Sequence, residues 1–331
     1  MSNTVRFTID GRTVEAPEGE NLLSAALREG VEIPNLCFMA HLTPTGSCRM
    51  CLVKIEGGKG LQNACTTTVQ EGLKVTAFDD EIEFNRRTTL ELLLAEHEYD
   101  CGVCDADGEC ELQDLAYRYQ LGVEKNRSIP QLGWDAPMPR DTTSPVLNFN
   151  ARKCIKCSRC IISCDEIQGK TILSFLHRGR HTFVSPQFTQ WKKSDCDGCG
   201  ECVQACPTGA IMEKPLAGAI RAFDIDRTVR TTCVYCGVGC QMDMWIKNDR
   251  IVRVRGARTA PNHGRLCVKG RFGWEFVDSD ERLTAPLIKE HGQFREASWE
   301  EALEVAAGGL AALKAASGPD ALAGFGSAKC S

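Results

Sequence analysis

The chain has 331 residues, room for two or more domains at about 100–200 residues each. It is 43% hydrophobic and 25% charged with a formal net charge of −5, which excludes a disordered tail, a fibre, and an electrostatic grip on nucleic acid or an anionic membrane. Met1–Asp10 has neither the basic nor the apolar region of a signal peptide, and no run of about 18 apolar residues occurs. No membrane span is therefore expected, and the expected location is the reducing cytoplasm. In that compartment the 20 cysteines point to metal ligands rather than disulfides.

In chain order, Val5–Ile9 and Thr13–Glu15 alternate about Asp10-Gly11, which predicts a hairpin, and Asn21–Glu29 predicts a helix stopped by Gly30. Cys37, Cys48, Cys51 and Cys65 follow as C-x10-C-x2-C-x13-C, with the small-residue loop Pro44–Cys51 between them. Four thiolates suit a [2Fe–2S] cluster, with zinc as the alternative. Hairpin, helix and cysteine loop together resemble a plant-type ferredoxin β-grasp domain. The wide first spacing is similar to the variant at the N-terminus of complex I's large cluster-bearing subunit and of iron-only hydrogenases. This unit is expected over 1–78.

Asp80–Glu96 reads as a long helix with Leu90, Leu93 and Leu94 on one face. Next come His97, Cys101, Cys104 and Cys110, as H-x3-C-x2-C-x5-C. These ligand types suit iron and zinc alike. In the complex I and hydrogenase families the same spacing at this place holds a [4Fe–4S] cluster with one histidine ligand. The resemblance implies that for 79–122. A connector is expected over 123–150, where Pro130, Pro137, Pro139 and Pro145 interrupt any period.

Cys154, Cys157, Cys160 and Cys164 form a C-x2-C-x2-C-x3-C run, repeated by Cys196, Cys199, Cys202 and Cys206 before Pro207. This resembles the bacterial two-cluster ferredoxin signature, expected over 151–217. In that signature the fourth cysteine of each run ligates the other cluster. One [4Fe–4S] cluster would take Cys154, Cys157, Cys160 and Cys206, the other Cys164, Cys196, Cys199 and Cys202. Thr171–Val184 predicts a hairpin between the runs.

Cys233, Cys236, Cys240 and Cys267 are spaced C-x2-C-x3-C-x26-C, with a hairpin predicted from Met242–Ile246 and Arg250–Val254 about Asn248-Asp249. This stretch, 218–285, resembles the [4Fe–4S] domain of molybdopterin-guanine-dinucleotide (MGD) oxidoreductases. The resemblance implies that Lys269 lies buried between cluster and pterin as a relay residue; a surface lysine is the alternative. Trp299–Ala316 predicts a helix opened by Ser298 with Glu301 three positions on, and Ala321–Gly326 a buried strand. Residues 286–331 resemble an incomplete start of a bis-MGD-binding domain, so a complete active site is not expected within this chain. Cys330 reads as a free thiol.

The fold class expected is α+β, a multi-domain iron–sulfur protein with one [2Fe–2S] and four [4Fe–4S] clusters. The order of parts resembles the catalytic alpha subunit of NAD-dependent molybdenum or tungsten formate dehydrogenase. That resemblance implies electrons entering from Mo- or W-bis-MGD at the Cys233–Cys267 cluster. They would pass the ferredoxin pair and the His97 cluster and leave for an FMN- and NAD-binding partner. A small [2Fe–2S] subunit similar to those of complex I's peripheral arm would complete a hetero-oligomer. Two other readings stay open: a stand-alone electron-transfer subunit wiring a flavin subunit to another oxidoreductase or hydrogenase, and a zinc-holding adaptor.

Overall fold

Asp10 and Gly11 take positive φ, 49° and 78°, so the chain reverses in two residues and pairs β1 (Thr4–Ile9) antiparallel with β2 (Arg12–Pro17). The computed structural model describes residues 3–133, 137–214 and 220–326. The boundary expected at 217/218 and Cys330 lie outside them. Asn21 caps α1 (Leu22–Arg28) by accepting from the Ser24 amide. Strands β3 (Leu52–Ile55), β4 (Gln62–Asn63) and β5 (Lys74–Thr76) complete a sheet of order β2-β1-β5-β3-β4, with β5 parallel to β1. Leu22, Leu23, Ala25 and Ala26 of α1 share one buried core with Phe7, Ile9 and Val14 of the sheet. This is the β-grasp arrangement expected.

Asp79 caps α2 (Asp80–Ala95), and Asp80, Glu81 and Glu83 lie in its first turn, where the helix dipole favours them. Leu90 and Leu94 are fully buried. They meet Leu112 and Ala116 of α3 (Glu111–Arg118) in a second core. Cys37, Cys48, Cys104, Cys110 and Cys157 sit in that same core, so one apolar cluster gathers thiols from three of the cysteine groups.

The connector ends earlier than expected. Residues 140–150 carry β6 (Arg140–Asp141) and β7 (Leu147–Asn150), and β7 is the middle strand of a three-stranded sheet, between β6 and a strand over Ile211–Glu213. Leu147 and Phe149 point inward and are buried. Four residues are too short a run for alternation to stand out beside four prolines. Next follow α4 (Arg159–Ile162), continued by a wide helical turn through Cys164, then β8 (Leu173–Leu176) and β9 (Phe183–Pro186), the expected hairpin. Then come α5 (Glu201–Ala205) and β10 (Ile211–Glu213).

Strands β11 (Arg227–Thr232), β12 (Gln241–Lys247) and β13 (Arg250–Gly256) form an antiparallel sheet, turning at Asn248 and Asp249 as expected. After α6 (Val268–Phe272), a hairpin of β14 (Leu287–Glu290) and β15 (Gln293–Glu296) leads to α7 (Trp299–Ser317). Ser298 caps α7 by accepting from the Glu301 amide. The strand expected at Ala321–Gly326 is not formed: 319–321 make a single 3-10 turn and 322–326 run on unpaired, with Phe325 fully exposed. A strand is stable only beside a sheet neighbour, and none lies next to this run among the described residues. No helix among the described residues is long and apolar enough to cross a membrane.

Candidate functional site

The 19 described cysteines are all free thiols, and the fold sorts them into sets. Cys37, Cys48, Cys51 and Cys65 are all buried, on the loop before β3 and on the short turn after β4. The Cys37 thiol lies within hydrogen-bonding reach of Cys48 and Cys65, and Cys51 within reach of Cys65. Hydrogen bonds from Cys48 and Cys65 hold the Cys37 thiol far below its ordinary range. The reciprocal bond to Cys37, with burial, pushes Cys48 up.

Cys104 faces Cys101, and both face Cys110, whose thiol burial pushes up to about 12. His97 is 6% exposed. Burial first, then the nearby Lys153 ammonium, lowers its ring to about 4, so the imidazole is neutral at pH 7, the form a metal ligand needs. Its Nδ1 is buried without a hydrogen-bond partner. Lys153 also reaches the Cys104 thiol, which ties the ring to the set.

The ferredoxin runs are crossed in space. The thiols facing Cys160 are Cys157, Cys154 and Cys206, with Cys202 more weakly. Those facing Cys202 are Cys199, Cys196 and Cys164, with Cys206 more weakly. Both loops have the same backbone device. Lys156 and Ser158 flank Cys157 with φ of 57° and 68°, as Gly198 and Gly200 flank Cys199 with 65° and 80°. That curl turns amides inward: Lys156 N–H donates to Cys154 Sγ and Gly198 N–H to Cys196 Sγ, each at 3.4 Å. Burial raises the Cys154 thiol to about 11 and pushes Cys157, Cys160 and Cys202 up as well. Thiolates at such depth need a compensating cation among them.

In the fourth set, Cys240 faces Cys233, Cys236 and Cys267. Cys233 is buried, whereas Cys236 and Cys267 are exposed. The expected burial of Lys269 is not seen among the described residues: it lies exposed on α6, two residues after Cys267. Among the described residues no group of three or more His, Cys, Asp or Glu closes on a single metal ion. Thiols arranged around a polynuclear cluster stand further apart than ligands of one ion. The orphaned His97 Nδ1, the inward amides and the buried thiol sets all fit iron–sulfur groups.

Several residues that bind the sets to one another were not anticipated. Arg159, between Cys157 and Cys160, is 4% exposed. Its guanidinium donates to both Glu111 oxygens, at 2.6 and 2.8 Å, and to the Phe38 carbonyl at 2.9 Å. Ser47 Oγ donates to the Cys157 carbonyl at 3.2 Å. The Cys110 thiol approaches the Pro207 carbonyl at 3.6 Å. A Cβ at Gly209 would stand 2.7 Å from Cys104 Sγ, so only glycine leaves room for that thiol. Arg271, on α6, reaches the Cys199 carbonyl at 3.1 Å and Glu201 at 3.2 Å, docking the fourth set on the third. A charged residue inside a cysteine run was the available signal for Arg159; nothing local marked Arg271.

Five family models match successive stretches. They are a 2Fe-2S iron-sulfur cluster binding domain (residues 2–79), an NADH-ubiquinone oxidoreductase-G iron-sulfur binding region (86–126), and an NADH-quinone oxidoreductase subunit 3 ferredoxin-like domain (144–212). A molybdopterin oxidoreductase Fe4S4 domain (226–279) and a molybdopterin oxidoreductase model (282–331) complete the row. A G-type subunit of NADH-quinone oxidoreductase from Rhizobium meliloti is 39% identical over 90% of this chain and 34% of its own length. NADPH-Fe(3+) oxidoreductase subunit alpha of Geobacter sulfurreducens is 35% identical over 98% and 37%. A Staphylococcus aureus protein provisionally named a formate dehydrogenase is 28% identical over 99% and 37%. The chain thus spans about a third of the length of these curated relatives. A crystal structure of NAD+-reducing [NiFe]-hydrogenase aligns with a TM-score of 0.57 at 28% identity, over 65% of this chain and 88% of that one.

Proposed function

The chain belongs to the family of iron–sulfur N-terminal domains shared by NADH-quinone oxidoreductase-G proteins and molybdopterin oxidoreductases, and from that premise we propose that it is the five-cluster electron relay of a cytoplasmic formate dehydrogenase. As an electron-transfer iron–sulfur chain of an oxidoreductase it needs ligands, spacing and dry surroundings. The crossed ferredoxin thiols, continuous with two further sets through one apolar core, are the observation that carries the reading.

In the proposal the ligand sets are Cys37, Cys48, Cys51 and Cys65 for [2Fe–2S]; and, for [4Fe–4S], His97 with Cys101, Cys104 and Cys110; Cys154, Cys157 and Cys160 with Cys206; Cys196, Cys199 and Cys202 with Cys164; and Cys233, Cys236 and Cys240 with Cys267. Bound clusters would supply one-electron steps at five points. The residues of the chain do the rest. Buried thiols keep water away, the inward amides of Lys156 and Gly198 stabilise added negative charge, and Arg159 holds three sets in register. Arg271 joins the fourth set to the third. The Cys154 set then touches both the Cys104 set, through Pro207, and the Cys37 set, through Ser47. That contact order favours two outlets from one ferredoxin site rather than a single file through His97. Lys269 is exposed, two residues from Cys267, where a molybdenum- or tungsten-pterin unit would contact it. A flavin- and NAD-binding subunit, with a small [2Fe–2S] subunit, is the proposed acceptor.

Anaerobically purified chain should hold about eighteen irons and as many acid-labile sulfides, the load of one two-iron and four four-iron clusters. In the complete subunit formate should reduce them, and in the 331-residue chain alone only dithionite should. Iron near ten would sink the five-cluster assignment. Full iron with reduction by NADH through a flavin partner, but never by formate, would remove formate and leave the relay with a different donor.

Ligation by His97 has its own test. His97→Cys should keep the cluster and lower its potential, because a charged thiolate replaces a neutral ring. His97→Ala should lose or convert that cluster alone. Unchanged EPR spectra and potentials in both variants would make His97 a bystander.

A further inference from the structure

Lys153 immediately precedes Cys154, yet its side chain leaves that set. Its residue is 7% exposed, and Nζ lies 2.7 Å from Asp100 Oδ1. The ammonium is also within hydrogen-bonding reach of the Cys104 thiol and faces the His97 ring. Two features hold it there. Thr208 Oγ1 donates to the Lys153 carbonyl at 2.8 Å, which ties the main chain down. The aliphatic stem runs past Gly209, where a Cβ would stand 3.4 Å from Lys153 Cδ. The cationic side chain that faces Cys154 itself is that of Lys156. The charge of Lys153 is therefore delivered across the boundary, from the run that opens one set into the heart of the next.

We propose that Lys153 raises the reduction potential of the site built by His97, Cys101, Cys104 and Cys110, with much less effect on the adjoining Cys154 site. The proposal rests on the five-cluster reading. Adding one electron to a cluster adds one negative charge, and a fixed cation a few ångströms away in a dry interior stabilises that charge strongly. Asp100 offsets the cation only in part, since its side chain is 36% exposed and solvated. Imidazole in place of one thiolate works in the same direction. Both raise the potential of this site above what four thiolates without the cation would give, on the contact path through Pro207.

The test is a stepwise dithionite titration of the anaerobically loaded chain, followed by EPR, with one electron taken up per cluster. Lys153→Met should keep full iron and shift the reduced-to-oxidised ratio of the His97 site about tenfold towards oxidised at a fixed potential, which is about 59 mV for a one-electron couple. The Cys154 site should move much less. Lys153→Arg should restore most of the shift. Asp100→Asn should move the His97 site the opposite way. An unchanged potential in an iron-replete Lys153→Met chain, or an equal shift of both sites, would falsify the proposal. Should Lys153→Met lose iron, Asp100→Asn decides, and no upward shift there overturns it. A wild-type chain without about eighteen irons would instead fail the cluster reading itself.

Discussion

Cys206→Ala is expected to empty the site of Cys154, Cys157 and Cys160 while leaving the cluster of Cys196, Cys199 and Cys202 in place. The loss should be about four irons of eighteen, together with one fast-relaxing EPR signal. Chain order alone would assign Cys206 to the three cysteines just before it. In the fold, α5 ends at Ala205 and the chain leaves it in extended backbone at Cys206, whose thiol faces Cys154 and Cys157. Cys164, after the helical turn that continues α4, faces Cys196 and Cys202 in the same way. Cys164→Ala should therefore remove the other cluster. Swapped outcomes, with each variant losing the cluster of its own run, would show the runs uncrossed. Because Pro207 and Gly209 line the Cys104 set, Cys206→Ala should also broaden the EPR signal of the His97 site without abolishing it.

Glu213→Ala should destabilise the joint between the ferredoxin unit and the β11–β13 sheet by roughly 3–5 kcal/mol, the usual consequence of leaving a buried charge unpaired. Glu213, at the end of β10, is 7% exposed and pairs with both Arg253 and Arg255 of β13. Arg253 is 4% exposed, so it cannot turn to water when its partner goes. Glu109, from the segment just before Cys110, accepts from Arg253 at 2.8 Å and from Arg255 at 3.1 Å. Both guanidiniums lie over the Trp245 ring, with centroid distances of 5.0 and 5.8 Å. Two cations held by two carboxylates thus tie three units together. Deleting Glu213 leaves a net positive charge at that junction. Native-state hydrogen exchange of the β13 amides would measure the change locally, without assuming that the whole chain unfolds at once. A shift under about 1 kcal/mol would mean that water already solvates the network.

The hairpins about Asp10-Gly11 and Asn248-Asp249, the cap at Ser298, and the cysteine spacings were all legible in the sequence. Each is a local device: a turn or a cap is decided by residues within a few positions of one another, and so is a cysteine loop curled by positive φ at Gly198 and Gly200. The same locality misled at two places. The prolines hid β7, whose stability comes from β10 more than sixty residues away, as the Ile211–Phe149 pairing shows. The apolar run Ala321–Gly326 looked like a strand, but the sheet neighbour a strand requires is not among the described residues. Ligand types and their spacing specify the kind of chemistry without any long-range contact, because a cluster loop is built from neighbours in the chain. Which sets adjoin, the clamp of Arg159 on three of them, and the path of the Lys153 charge to Cys104 rather than Cys154 come from long-range packing. Those outcomes depend on a side chain several ångströms long crossing between segments distant in sequence, and no local pattern encodes where such a side chain ends.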